Sequence, residues 1–173
     1  MNDCRVPKGH VPPRLYYVRH ARSQAYDDFS GGFRARDYGR FYPYSDTQAE
    51  FSKSVENHLD WSSREPSPYL SVMSDRNHAD NFALVMQSRT GYVAEVYEIN
   101  ARRLNTSYIF NVPYLMEELR LSVRPDAMNA SEYLVLHRIP GQAVVGCRTT
   151  KDIEDVSSLK NQDIIECNIE FGI

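Results

Sequence analysis

The sequence predicts an α+β domain, on three observations. Aromatic residues are abundant, with twelve tyrosines and seven phenylalanines among 173 residues. That composition suits strands and a ligand cleft better than a helical bundle. Short β-prone runs such as "RLYYVR" alternate with stretches of helical spacing, as where Phe51, Val55 and Leu59 recur every four residues. No internal repeat or low-complexity segment interrupts the chain, and its length is most simply one domain with a sizeable core.

Each element has a local reason. After Pro12-Pro13, residues 14–19 are aromatic and β-prone, a first strand. Residues 24–44 carry glycine, proline and aspartate turn signals with little periodicity, which predicts a long surface loop; such loops usually have a task. Ser45 and Gln48 have the spacing of a capping box and open a helix over 46–60. Residues 68–73 form a strand with Ser71 at its centre, and Ser74 or Asp75 then caps a helix running to about Met86. "GYVAEVYEI" alternates as a strand, and Pro113 opens a short helix with Leu115, Met116 and Leu119 inward. "EYLVLHRI" and "QAVVGC" are expected to pair around Pro140-Gly141, followed by a short helix at 152–159 and a last strand at 163–171. The expected organisation is an N-terminal extension (1–13), a domain (14–150), and a tail (151–173) packed on or extending it.

Charge and cysteine usage bound the function. A net charge of −3 argues against a broad nucleic-acid footprint, and no apolar run reaches bilayer-crossing length. "MNDCRVPKGHVPPR" lacks the apolar core of a signal peptide. Cys4, Cys147 and Cys167 have no metal-ligand spacing and read as thiols, so a cytoplasmic location is expected. Taken singly, the candidate residues have ordinary structural readings. Arg19 can pair with a carboxylate at a strand end, His58 can be a structural helix residue, and Glu132 can be solvated. Ser71 is the least comfortable, because a hydroxyl in a half-buried strand needs a partner.

Their order along the chain suggests more. Leu15-Tyr16 with Arg19 close behind is followed by Ser30-Gly31-Gly32-Phe33 and Arg36, and then by Asn57-His58 at a helix end. Tyr69-Leu70-Ser71 places its serine eight residues before Ala79, and Phe110-Asn111-Val112 comes next. Glu132 stands eight residues before Pro140 of Ile139-Pro140, with Gly146 six residues further on. This ordered set, over about residues 14–147, resembles the arginine–serine–glutamate class of mono-ADP-ribosyltransferases, the class of the cholera-toxin catalytic chain.

The resemblance implies an ADP-ribosyltransferase-like fold, with two small packed and mainly antiparallel sheets and flanking helices around an NAD cleft. NAD would be a consumed substrate, with no metal required. Cleavage of its nicotinamide–ribose bond passes through an oxocarbenium-like transition state, as in glycoside cleavage. Glu132 would stabilise that charge and orient the ribose, and Ser71 would hydrogen-bond Glu132 from the neighbouring strand. Arg19 would bind the pyrophosphate or brace the cleft, His58 and Arg36 would line it, and the 24–44 loop would cover the dinucleotide.

Three departures stand beside the match. Tyr17 occupies the place of the arginine, Val72-Met73 replaces two hydroxyl residues, and Ala130 stands where the class usually carries Glu or Gln to engage the acceptor. The expected partners are NAD and an unknown protein or small-molecule acceptor, with neither nucleic acid nor membrane. The function implied is ADP-ribosyl transfer or NAD glycohydrolysis. The alternatives are a catalytically degenerate binding module and an unrelated α+β domain binding RNA through Arg34, Arg36 and Arg40.

Overall fold

The computed structural model describes residues 4–40, 48–60, 62–104, 108–122 and 130–156. In chain order the elements are β1 (Arg14–Arg19), β2 (Tyr26–Asp28), β3 (Gly32–Arg34), α1 (Gln48–Leu59), β4 (Tyr69–Met73), α2 (Arg76–Thr90) and β5 (Glu95–Asn100). Then come β6 (Ile109–Asn111), α3 (Val112–Leu119), β7 (Glu132–Leu136), β8 (Arg138–Ile139) and β9 (Val144–Thr149). A further helical stretch, α4, occupies 150–156. The chain is α+β, with one antiparallel sheet in the order β6-β7-β4-β1-β5-β9 and a second in the order β2-β3-β8. Among the described residues no helix is long and apolar enough to cross a membrane.

The large sheet is the middle of three layers, and the period of two along its strands divides the cores. Leu15, Tyr17, Leu70, Val72 and Val135 face the small sheet and pack with Phe33 and Ile139. On the other face Tyr69, Leu134 and Leu136 bury Phe51, Val55 and Leu59 of α1 with Leu115 of α3. Val18, Met73 and Val96 cover Ala79 and Ala83 of α2. Alanine on α2 lets its backbone approach the sheet closely.

The caps follow local chemistry. Asp75 accepts from the N–H groups of Asn77 and His78 at 2.8 and 3.2 Å, starting α2. That helix runs one turn beyond Met86 to Thr90, because Met86 is itself buried and Gly91, at φ 74°, closes the helix through Gln87. Asn111 accepts from the Tyr114 N–H at 2.9 Å and caps α3, so Phe110-Asn111-Val112 is a core residue, a cap and a first turn. Leu115 is buried, and Met116 and Leu119 pack on the same cluster.

Several expectations are corrected. Residues 24–40 are not simply loop, because they contain the β2–β3 hairpin. Its turn uses Gly31 at φ 77°, and Asp28 accepts from the Ser30 N–H at 2.6 Å. A Cβ on Gly32 would strike the Ile139–Gly141 backbone, and one on Gly141 would strike the Ser30 backbone. Ser30-Gly31-Gly32 and Ile139-Pro140-Gly141 therefore interlock main chain to main chain. The segments "EYLVLHRI" and "QAVVGC" are not a hairpin: β7 lies between β4 and β6, while β9 edges the sheet on β5. His137, at φ 64°, breaks the first segment and sends β8 to the small sheet. The strand at 91–99 starts only at Glu95, since Gly91 belongs to the α2 cap. Ser45 and the strand at 163–171 lie outside the described residues, as does Cys167. Cys4 is half-buried and Cys147 exposed.

Candidate active site

Ser71 and Glu132 belong to adjacent antiparallel strands. Met73 is opposite Glu132 and Ser71 opposite Leu134, so all four side chains share the helix-covered face, with Ser71 diagonal to Glu132. Glu132 is 8% exposed. Burial pushes its carboxyl up from 4.5 to about 7, and the Ser71 hydroxyl pulls against that shift as a hydrogen-bond donor. The short contact of Ser71 is with a third residue, its Oγ lying 2.8 Å from His58 Nε2.

His58 reaches this point because Phe51, Ser54, Val55 and His58 lie on the sheet-facing side of α1, at spacings of three, four and seven residues. The ring packs edge-on to Tyr69, with centroids 5.6 Å apart, and the Tyr69 hydroxyl meets Ser54 Oγ at 2.9 Å. Its second nitrogen, Nδ1, lies 2.6 Å from Ser67 Oγ. Burial lowers the His58 pKa to about 4, so the ring is neutral at neutral pH. Glu132, Ser71, His58 and Ser67 thus form a line of polar groups running beneath α1. Ser67 escaped sequence reasoning because it precedes the strand. The one available signal was its position four residues before Ser71, in the loop leading into β4.

Arg19 does not join this group. Tyr17 is opposite Val72, so Tyr17 and Arg19 face the small sheet, away from Ser71 and Glu132. There the Arg19 guanidinium forks onto the Asp27 carboxylate, at 2.8 Å from Nη2 and 2.5 Å from Nη1. It also meets Tyr97, whose hydroxyl donates to Glu95 at 3.0 Å. Arg36 is exposed beyond β3. The next residue, Asp37, donates its N–H to the Ser67 carbonyl at 3.0 Å, which brings the Arg36 segment to the His58 end of the line. A cavity of about 280 Å³ lies elsewhere, lined by residues including Val6, Lys8, Val11, Arg102 and Ile109. Ile109 points to the opposite sheet face from Glu132, so this cavity is separate from the carboxylate.

What this arrangement offers chemically is a desolvated carboxyl, ionised in part at neutral pH, braced by a hydroxyl that a neutral imidazole holds in turn. The chain belongs to a family described as Domain of unknown function (DUF7587), whose profile matches residues 10–153. No curated protein matches the chain.

Proposed function

We propose that this protein is an NAD-consuming ADP-ribosyltransferase-like protein with Glu132 as its catalytic carboxylate. The observation that carries the reading is the meeting of Glu132, Ser71 and His58 on one sheet face, from three segments that the resemblance picks out in the same order. The layered α+β architecture, with two antiparallel sheets, is compatible with it.

The reaction needs a negative charge beside the ribose. As the C1′–nitrogen bond breaks, nicotinamide leaves with the electron pair and positive charge grows on the ribose. A carboxylate held in a desolvated site interacts with that charge far more strongly than it would in water. Water or another acceptor then bonds to C1′ and loses a proton. Only the ionised form of Glu132 serves this role, so turnover should rise with pH, with a midpoint near 7. Of the two arginines, Arg36 is the better placed to meet a pyrophosphate, since Arg19 is committed to Asp27 on the other face. Ala130 offers neither carboxylate nor amide to a protonated guanidinium acceptor, so water or a neutral acceptor fits best.

The test is nicotinamide release from NAD by wild type and by Glu132→Gln. The expected loss on substitution is about a hundredfold or more. Equal turnover by both proteins would remove Glu132 from the mechanism. A second reading, a non-catalytic binding module, is favoured by the placement of Arg19 on the face opposite Glu132. Saturable NAD binding in calorimetry without nicotinamide release would select it, and neither binding nor release would reject NAD altogether.

A further inference from the structure

The line of polar groups beneath α1 has a direction. An ionised carboxylate only accepts hydrogen bonds, so the single Ser71 hydrogen must point to Glu132 for that group to be served. Ser71 Oγ then meets His58 Nε2, 2.8 Å away, as an acceptor, and the hydrogen of that contact belongs to the ring. His58 is neutral and carries one ring hydrogen, which leaves Nδ1 bare. Ser67 Oγ, 2.6 Å from Nδ1, must therefore donate. Its lone pairs remain free to accept the Tyr69 N–H at 3.1 Å, which fixes the hydroxyl in the loop. Every bond in the series Tyr69 N–H, Ser67, His58, Ser71, Glu132 is then satisfied in one sense. In the opposite tautomer Nδ1–H would point at Ser67 and the Ser71 hydrogen would turn to Nε2. The buried carboxylate would face lone pairs instead of a donor, at a cost comparable to an unmet buried hydrogen bond. Among the described residues only burial shifts His58 and only burial and Ser71 shift Glu132, so within this group the need of the carboxylate for a donor decides the direction.

We propose that Ser67 is a positioning residue: its hydroxyl donates to His58 Nδ1, fixes the Nε2–H tautomer, and so turns the Ser71 hydroxyl onto the Glu132 carboxylate. Its kinetic consequence rests on the catalytic reading of Glu132, whereas the tautomer can be read with no NAD present.

The experiment is nitrogen NMR of protein labelled at histidine, at a pH above 8 where Glu132 is ionised, for wild type, Ser67→Ala and Ser67→Thr. Wild-type His58 should be predominantly the Nε2–H tautomer. Ser67→Ala should move the ratio toward Nδ1–H by about two- to tenfold, the value of one hydrogen bond, and Ser67→Thr should restore it. In nicotinamide release the alanine variant should lose kcat by a similar factor with KM unchanged, and threonine should rescue it. A wild-type ring in the Nδ1–H form, or a ratio unmoved in Ser67→Ala, overturns the proposal. A wild type that releases no nicotinamide but keeps the Ser67-dependent tautomer removes the catalytic reading and leaves the positioning role standing.

Discussion

The polar groups around Glu132 and those around Arg19, on opposite faces of the large sheet, are arranged differently. On the helix-covered face the Glu132 carboxyl is buried beside two neutral hydrogen-bonding groups, and among the described residues no cation shifts its titration. On the small-sheet face Arg19 is forked onto Asp27 near the surface, their side chains 35% and 60% exposed. The first arrangement leaves Glu132 with a raised pKa in a desolvated site. The second neutralises its charges locally. Perturbed titration of this kind is more often a feature of a working site than of a structural ion pair. The difference agrees with the role proposed for Glu132 and leaves Arg19 the structural task of joining β1 to β2.

Turnover is the sharpest way to break that division. Arg19→Ala should leave nicotinamide release within a few-fold of wild type, while Glu132→Gln loses about a hundredfold or more. Matching losses from the two substitutions would mean that the arginine face takes part in the reaction, and the assignment of Arg19 to structure would fall.

Next in size is the pH dependence of stability. The carboxyl of Glu132 is raised in the fold from 4.5 to about 7. Its contribution is fully present below pH 4.5 and is lost as pH climbs to about 7, because the unfolded chain ionises first. The loss amounts to about 3 kcal/mol. His58 is lowered from 6.5 to about 4. Its contribution is present above pH 6.5 and is lost as pH falls toward 4, by a comparable amount. Between pH 4.5 and 6.5 the two slopes oppose each other and largely cancel. Glu132→Gln should therefore become steadily more stable from pH 4 to 6.5 in urea titrations. His58→Gln should lose stability from pH 4.5 to 7. Slopes of the same sign in both variants would show that the two groups are not buried as described.

How much of this was legible in the sequence differs by face. Residues 14–19 and the cap of α2, read as Ser74 or Asp75 and formed by Asp75, are set by local chemistry, which a single chain displays. Period two also put Tyr17 and Arg19 on one side of β1. It could not say which side of β4 that matched, because facing across strands depends on register, and Tyr17 opposite Val72 turns Arg19 away from Ser71. The β2–β3 hairpin was hidden for another reason. Three-residue strands such as Tyr26–Asp28 have no room for alternation and exist through pairing rather than propensity. The Ser67–His58 contact joins residues nine apart across a loop, beyond any helical or strand spacing. Gly32 tests the interlock that fixes the small sheet. Gly32→Ala should lower stability by about 1–3 kcal/mol, since its Cβ meets main chain that has little freedom to move. Unchanged stability would mean that the two glycine segments are further apart than the structure has them.

The smallest effect belongs to the forked Arg19–Asp27 ion pair. Arg19 and Asp27 make a two-pronged contact at 2.8 and 2.5 Å, yet both side chains reach solvent. Exposed ion pairs gain little, because water screens the attraction and holding two side chains in register costs entropy. A double-mutant cycle with Arg19→Ala, Asp27→Ala and the double variant should give a coupling of about 0.2–1 kcal/mol, shrinking as salt is raised. The contact of Arg19 with Tyr97 gives a reason to expect the upper part of that range, since the tyrosine limits the freedom of the guanidinium before the pair forms. A coupling well above it, insensitive to salt, would mean that the seam between the two sheets is closed to water. The contrast between a dry helix face and a wet hairpin face would then no longer hold.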